Sequence, residues 1–293
     1  MNRFSDICFV CTGNTCRSPM AEAIAKRIIE RRGLPLTASS MGCGALDGSP
    51  ASYNSSAVCA ENGLDITSHR AHQITKEDDT GTRAFVCMTA RHEAFLSSLG
   101  IGEDKLFLFD RDIPDPYGGD ISVYENCFSE LDKAVGRILF RLAPLPDGVT
   151  VRDMTQEDVP AAAQLERECF SQPWSEKALS EELCTGCSVL LIAEKDGETA
   201  GYIGMQHTGV TGYITNVAVS EKYRRFGVGS ALVREMTERA RALGESEITL
   251  EVRSKNAGAI ELYLRAGFEN MGKRPGFYTE PDDDAVIMTA RLL

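Results

Sequence analysis

The sequence contains no apolar run approaching the roughly eighteen residues that a membrane-spanning helix requires, and its first thirty residues lack a secretory-leader pattern. No membrane association is expected. Basic residues are in deficit: 31 Lys and Arg stand against 43 Asp and Glu, a formal net charge of −12. The cationic footprint of a nucleic-acid binder is therefore missing, and no nucleic-acid partner is expected. There is no low-complexity tract, and the two halves of the chain do not repeat one another. Histidine is scarce; His69, His72, His92 and His207 show no metal-ligand spacing and read as structural or solvated. Ten cysteines are scattered along the chain, which fits reduced thiols and a cytoplasmic setting better than an exported disulfide scaffold. Cys8-x-x-Cys11 and Cys184-x-x-Cys187 superficially suggest a four-thiolate site, but they fall in different halves, so no metal is expected.

What is present is a chain of 293 residues, 43% hydrophobic and 25% charged, comfortable for two globular domains. Through residue 142, predicted strands at 7–10, 36–41, 84–88 and 106–109 alternate with helices at 20–32, 51–62, 90–99 and 121–142. That alternation predicts an α/β domain with a mainly parallel sheet. In the last helix Val123, Phe128, Leu131, Val135, Ile138 and Leu142 approximate helical spacing. Ala143-Pro144-Leu145-Pro146-Asp147-Gly148 then breaks the pattern. The expected division is a first domain at 1–144, a linker at 145–148 and a second domain at 149–293. The second half is the more acidic, which would attract a basic protein or peptide, or serve solubility alone.

The first half is organised around Cys11-Thr12-Gly13-Asn14-Thr15-Cys16-Arg17-Ser18-Pro19. An apolar strand leads into this stretch and a helix leaves it, so a tight turn would point many backbone N–H groups into one small space, an anion site. Cys11 supplies a nucleophile at its mouth, and Arg17 supplies a planar cationic fork for phosphate. Arg17, the turn amides and the helix dipole favour a thiolate there. Ser18 suits the N-cap and Pro19 the first helical position, and Ser18 could donate to the Cys11 sulfur. Gly13 and Asn14 tolerate unusual turn dihedrals.

These residues closely resemble the active-site loop of the low-molecular-weight protein tyrosine phosphatase family. Further matching patches are Gly48-Ser49-Pro50-Ala51, Ser68-His69-Arg70-Ala71, Met88-Thr89-Ala90-Arg91 and Asp115-Pro116-Tyr117-Gly118-Gly119. The resemblance implies a Rossmann-like phosphotyrosine-phosphatase fold and a phosphocysteine on Cys11. It also implies transition-state support from Arg17 and the loop Thr12, Gly13, Asn14, Thr15, Cys16 and Ser18, and Asp115 as general acid and then base, with Tyr117 beside the leaving group. No cofactor is implied for this half. Thr15, together with the Gly-Gly pair after Asp115-Pro116-Tyr117, resembles the bacterial protein-arginine phosphatases; tyrosine-directed members carry a branched apolar residue there. Cys16 is either a buried filler or a redox partner of Cys11, as in the resembling family. Arsenate reductases share the loop but need a relay pair of cysteines, and Cys87 has no second cysteine close behind it.

In the second half, Asn216-Val217-Ala218-Val219 reads as a strand end, and Arg224-Arg225-Phe226-Gly227-Val228-Gly229 opens a helix with apolar Leu232, Val233, Met236, Ala240 and Leu243. Glycines at such an N-terminus let amides approach a pyrophosphate. This resembles the acetyl-CoA motif of the GNAT acetyltransferases, an α/β fold with a mixed sheet. Phe170-Ser171-Gln172-Pro173-Trp174-Ser175, Leu250-Glu251-Val252-Arg253 and Ala259-Ile260-Glu261-Leu262-Tyr263 narrow it to the RimI-type branch. That branch acetylates the N-terminal alanine of a ribosomal protein. The resemblance implies acetyl-CoA as co-substrate, lined by Val217, Ala218, Val219, Arg225, Phe226, Gly227, Val228, Gly229, Ser230 and Asn256. Glu251 is then the base for the incoming amine and Tyr263 the acid for the departing thiolate. Strand alternation independently puts Glu251 opposite Ile248, Leu250 and Val252. Phe277-Tyr278 stands where the branch usually shows two tyrosines.

The expectation is a bifunctional enzyme: a cysteine-dependent phosphatase of phosphorylated proteins, directed at phosphoarginine, fused to an alanine N-acetyltransferase acting on the tail of a ribosomal protein. The alternative is a phosphotyrosine phosphatase whose second domain acetylates another amine or serves as an acetyl-CoA-sensing or partner-binding module.

Overall fold

The computed structural model describes residues 4–292; Met1, Asn2, Arg3 and Leu293, the ends of the two expected domains, lie outside the described residues. The chain divides between Pro144 and Leu145 into two compact units. No helix among the described residues is long and apolar enough to cross a membrane.

The first unit runs β1 (Asp6–Cys11), α1 (Arg17–Arg32), β2 (Thr37–Gly42), α2 (Tyr53–Glu61), β3 (Arg83–Cys87), α3 (Ala90–Ser98), β4 (Leu106–Leu108) and α4 (Ile121–Leu142). The sheet order is β2-β1-β3-β4, all parallel. Parallel strands with helices on both faces are apolar on both sides. In β1, accordingly, Ile7 and Phe9 pack with Met20, Ile24 and Leu131, while Cys8 and Val10 pack with Phe85 and Leu96. Each such fully buried large side chain contributes roughly 1.5–3 kcal/mol.

Two expectations need correction. Helix α1 starts at Arg17 with Cys16 as N-cap, so Ser18 and Pro19 lie inside its first turn. Pro19 still sacrifices no intrahelical bond there, and Ser18 is pulled inward by a polar network described below. In α4 the buried stripe is Tyr124, Cys127, Phe128, Leu131, Val135, Ile138 and Leu139; Val123 is 41% exposed, one residue off that stripe.

The second unit runs β5 (Val149–Asp153), α5 (Val159–Cys169), α6 (Glu176–Leu183), β6 (Ser188–Lys195), β7 (Glu198–His207), β8 (Thr211–Val219), α7 (Val228–Ala242), β9 (Glu247–Arg253), α8 (Ala257–Arg265), β10 (Glu269–Thr279) and β11 (Asp282–Arg291). Its seven strands are ordered β10-β11-β9-β8-β7-β6-β5. Only β8 and β9 run parallel, joined by the α7 crossover. Helix α7 buries Leu232, Val233, Met236 and Ala240 against the sheet, but Leu243 lies past its last turn and is 44% exposed, which corrects the expected stripe.

The β8–β9 ladder is short. It pairs Thr211, Gly212 and Tyr213 with Glu247, Ile248 and Thr249 and then ends, while β8 carries an irregularity between Ile214 and Asn216. Beyond it the strands splay, leaving 217–219 paired only with β7.

Candidate active sites

In the first unit, β1 ends at Cys11, whose thiol is 3% exposed and lies 3.0 Å from the Ser18 hydroxyl. Ser18 Oγ accepts from Asn14 Nδ2 at 2.8 Å, so its own hydrogen is left for the sulfur, nearer than the Met41 carbonyl at 3.5 Å. Burial pushes the thiols of Cys43, Cys59 and Cys127 up to about 12, and those of Cys8 and Cys87 further.

Asn14 is the residue that holds the turn. It has no exposed surface and a left-handed φ of 51°; Gly13 does not share that conformation. Asn14 Nδ2 also donates to Ser40 Oγ at 2.9 Å, its Oδ1 accepts the His72 N–H at 2.9 Å, and its carbonyl lies 2.7 Å from His69 Nε2. Gly42, at the end of β2, backs the same turn: a β-carbon there would lie 2.6 Å from the Thr12 carbonyl oxygen and 3.0 Å from the Asn14 nitrogen.

Arg17 is 4% exposed. It donates to the Ile113 carbonyl at 3.0 Å and to Asp115 Oδ2 at 2.5 Å, and its buried Nε has no partner among the described residues. The structure thus brings Asp115 to the loop arginine, with its other oxygen accepting the Tyr117 N–H at 3.2 Å. Tyr117 is 81% exposed, a ring free to meet a substrate. Thr15 Oγ1 lies 3.7 Å from Cys16 Sγ, which also meets Tyr124 OH at 3.4 Å and Ser52 Oγ at 3.5 Å. Cys16 is therefore buried with hydroxyls around its sulfur.

The sequence marks His69 and His92 as structural or solvated without placing them at the phosphate loop, which is where both lie. His69 holds Asn14, and buried His92 places Nε2 3.0 Å from Thr12 Oγ1 and Nδ1 2.9 Å from Thr89 Oγ1. Burial, then the nearby Arg17 charge, holds the His92 imidazole below its ordinary range. The signal was available in the Ser68-His69-Arg70 and Met88-Thr89-Ala90-Arg91 patches, read only as marks of resemblance.

In the second unit, Ile248, Leu250 and Val252 are buried and Glu251 lies on the opposite face of β9, beyond the point where β8 and β9 separate. Its carboxylate accepts from the Tyr213 hydroxyl and from Arg274 Nη1 at 3.2 Å. The Tyr213 hydroxyl is held well above its ordinary range by burial, then by the Glu251 hydrogen bond and charge. Tyr263 is 6% exposed in α8, its ring 5.6 Å from that of Phe268, and burial also raises its hydroxyl. Arg253 lies over the Tyr278 ring at 4.2 Å and Arg274 over Phe277 at 5.0 Å.

The residues expected to hold acetyl-CoA form two groups. Val217, Ala218 and Val219 offer a strand edge to the splay. Arg225 and Gly227 have left-handed φ values of 69° and 81°, and α7 begins without a side-chain cap, leaving the amides of Val228, Gly229 and Ser230 without intrahelical partners. A strand edge for amide groups beside an uncapped helix N-terminus for pyrophosphate fits this co-substrate. Phe226 is 58% exposed beside them. A β-carbon on Gly229 would lie 3.2 Å from Leu262, so α8, and with it Tyr263, approaches the start of α7 closely. Asn256 stands at the start of α8, where its side chain caps the helix, accepting from the Ala259 N–H at 3.2 Å.

Comparison with known proteins matches both halves. Residues 6–145 match the family described as low molecular weight phosphotyrosine protein phosphatase, and residues 159–268 match the acetyltransferase (GNAT) family. A protein-arginine-phosphatase of Geobacillus stearothermophilus is 37% identical over 145 residues, covering 46% of this chain and 95% of that protein. Its counterpart in Bacillus subtilis is 34% identical, covering 47% and 96%. A ribosomal protein bS18-alanine N-acetyltransferase of Escherichia coli is 30% identical over 141 residues, covering 47% of this chain and 95% of that protein.

Proposed function

The chain belongs in its first half to the low molecular weight phosphotyrosine protein phosphatase family and in its second to the GNAT acetyltransferases, both enzyme families, and from that premise we propose a bifunctional cytoplasmic enzyme that dephosphorylates phosphoarginine in proteins and acetylates the N-terminal alanine of a ribosomal protein. The observation that carries the phosphatase reading is the convergence of Cys11, Ser18, Arg17 and Asp115 on one turn. The Cys11 sulfur attacks phosphorus as the phosphorus–nitrogen bond breaks, and Asp115 passes its proton to the departing guanidine nitrogen. Arg17 and the loop amides hold the phosphoryl oxygens. Asp115 then takes a proton from the water that cleaves the sulfur–phosphorus bond, and phosphate leaves. The Thr15 hydroxyl can accept from guanidinium N–H groups, which a branched apolar chain cannot do. Resemblance to protein-arginine phosphatases supports that choice.

In the second unit Glu251 accepts a proton from the α-ammonium of the acceptor, directly or through water. Tyr263 protonates the thiolate released from acetyl-CoA. When bound, acetyl-CoA supplies the activated thioester; 217–219 and the start of α7 would hold it.

Cys11→Ser and Glu251→Gln, each assayed for both activities in the full chain, test the division of labour. Each variant should lose one activity at least about 100-fold and keep the other. Loss of both in either variant, or neither activity in the unaltered chain, would contradict the reading.

A further inference from the structure

Glu166 is a buried carboxylate that neither proposed reaction uses. It sits in α5 with no exposed surface, and its two oxygens take three donors from three different parts of the second unit. Oε1 accepts from the Tyr202 hydroxyl on β7 and from Asn216 Nδ2 on β8 at 2.8 Å. Oε2 accepts the Trp174 backbone N–H at 2.7 Å. All three partners are neutral donors, and a leucine here would fill the space without the cost of burying a carboxylate.

The three attachments join two functional places. Asn216 follows the irregularity in β8 and directly precedes Val217, so its position fixes where the free strand edge begins. Trp174 belongs to the connection 170–175 between α5 and α6. That connection also reaches the face of Glu251: Ser171 Oγ donates to the Glu280 carbonyl, and the same carbonyl accepts from Arg253 Nη2 at 2.8 Å. Arg253 and Glu251 alternate onto one face of β9.

We propose that Glu166 is a positioning residue coupling the acetyl-CoA strand to the 170–175 connection, so that occupancy of 217–219 sets the segment bordering the acceptor amine. The inference rests on the acetyltransferase reading of this unit. The carboxylate is one rigid plane, so a shift of Asn216 at one oxygen is passed to Trp174 at the other. Glu166→Leu fills the space with no acceptor at all, so the Trp174 N–H and the Asn216 amide both lose their shared partner.

Trp174 is the only tryptophan in the chain, so its fluorescence reports this connection alone. Coenzyme A, which binds without reacting, is titrated into the full chain and followed by calorimetry and by tryptophan emission together. In the unaltered chain both signals should saturate with one Kd. In Glu166→Leu, and separately in Asn216→Ala, the Kd should stay within about threefold while the emission change falls at least fivefold. An undiminished emission change in a folded variant would overturn the coupling, as would binding without an emission change in the unaltered chain. Absence of coenzyme A binding in the unaltered chain would instead overturn the acetyltransferase reading, and this inference with it.

Discussion

Replacing Asn14 by alanine perturbs the phosphate loop at the residue that holds its turn. The variant loses two donated hydrogen bonds, to Ser18 and Ser40, and one accepted from the His72 N–H, all in a buried setting. At about 1 kcal/mol per bond, that is roughly 3 kcal/mol. Alanine at a φ of 51° adds roughly 1–2 kcal/mol of backbone strain. If half of this total displaces the loop from its active geometry, the phosphatase kcat/KM falls by about 30-fold; if all of it does, by about 1000-fold. Asn14→Gly separates the two terms, because glycine accepts the left-handed turn without strain. It should recover about tenfold over the alanine variant and no more. The assay is phosphate release by the full chain, with acetyl transfer as an internal control that should not change. An alanine variant within threefold of the unaltered rate would refute the assignment of Asn14 as the turn's support.

Three further outcomes follow from the same geometry. Gly42→Ala forces a β-carbon against Thr12 and Asn14 backbone atoms and should cost about 1–3 kcal/mol, read as an earlier heat inactivation of phosphatase activity with acetyl transfer spared. His92 is held below its ordinary imidazole value in the folded chain, so the unfolded chain takes up the proton first on acidification. The phosphatase unit should therefore be fully stable above about pH 6.5 and lose stability as pH falls through the folded value, and His92→Gln should flatten that loss in heat-inactivation profiles at pH 5 and 7.5. Tyr263→Phe should lower the acetyl-transfer kcat about 10²-fold while coenzyme A affinity by calorimetry stays within threefold; a proportional loss of affinity would assign Tyr263 to packing.

The order of strands and helices in the first half was legible because short apolar runs alternate there with helical periodicity, and α4 begins and ends where its pattern does. The start of α1 was not, because Ser18 looks like a cap in one dimension and its hydroxyl is claimed by Asn14 and Cys11 in three. Within the candidate sites, the stretch from Cys11 to Ser18 stands out since its residues are neighbours in the chain. His69, His92 and Glu166 do not, since their partners lie 55, 80, and 36 and 50 residues away. A glutamate in an amphipathic helix reads as solvated, and only tertiary burial reverses that. The splay of β8 from β9 is likewise a property of a ladder that stops, which periodicity does not encode.

The central claim is that the first unit removes phosphate from arginine in proteins, with Thr15 setting that choice. Its most direct test is phosphate release from matched phosphoarginyl and phosphotyrosyl proteins by the full chain, with Thr15→Ile measured beside it and Cys11→Ser as the inactive control. At least a tenfold preference for phosphoarginine in kcat/KM is expected, reduced or reversed in Thr15→Ile. Equal turnover of the two substrates, or a preference for phosphotyrosine in the unaltered chain, would contradict it.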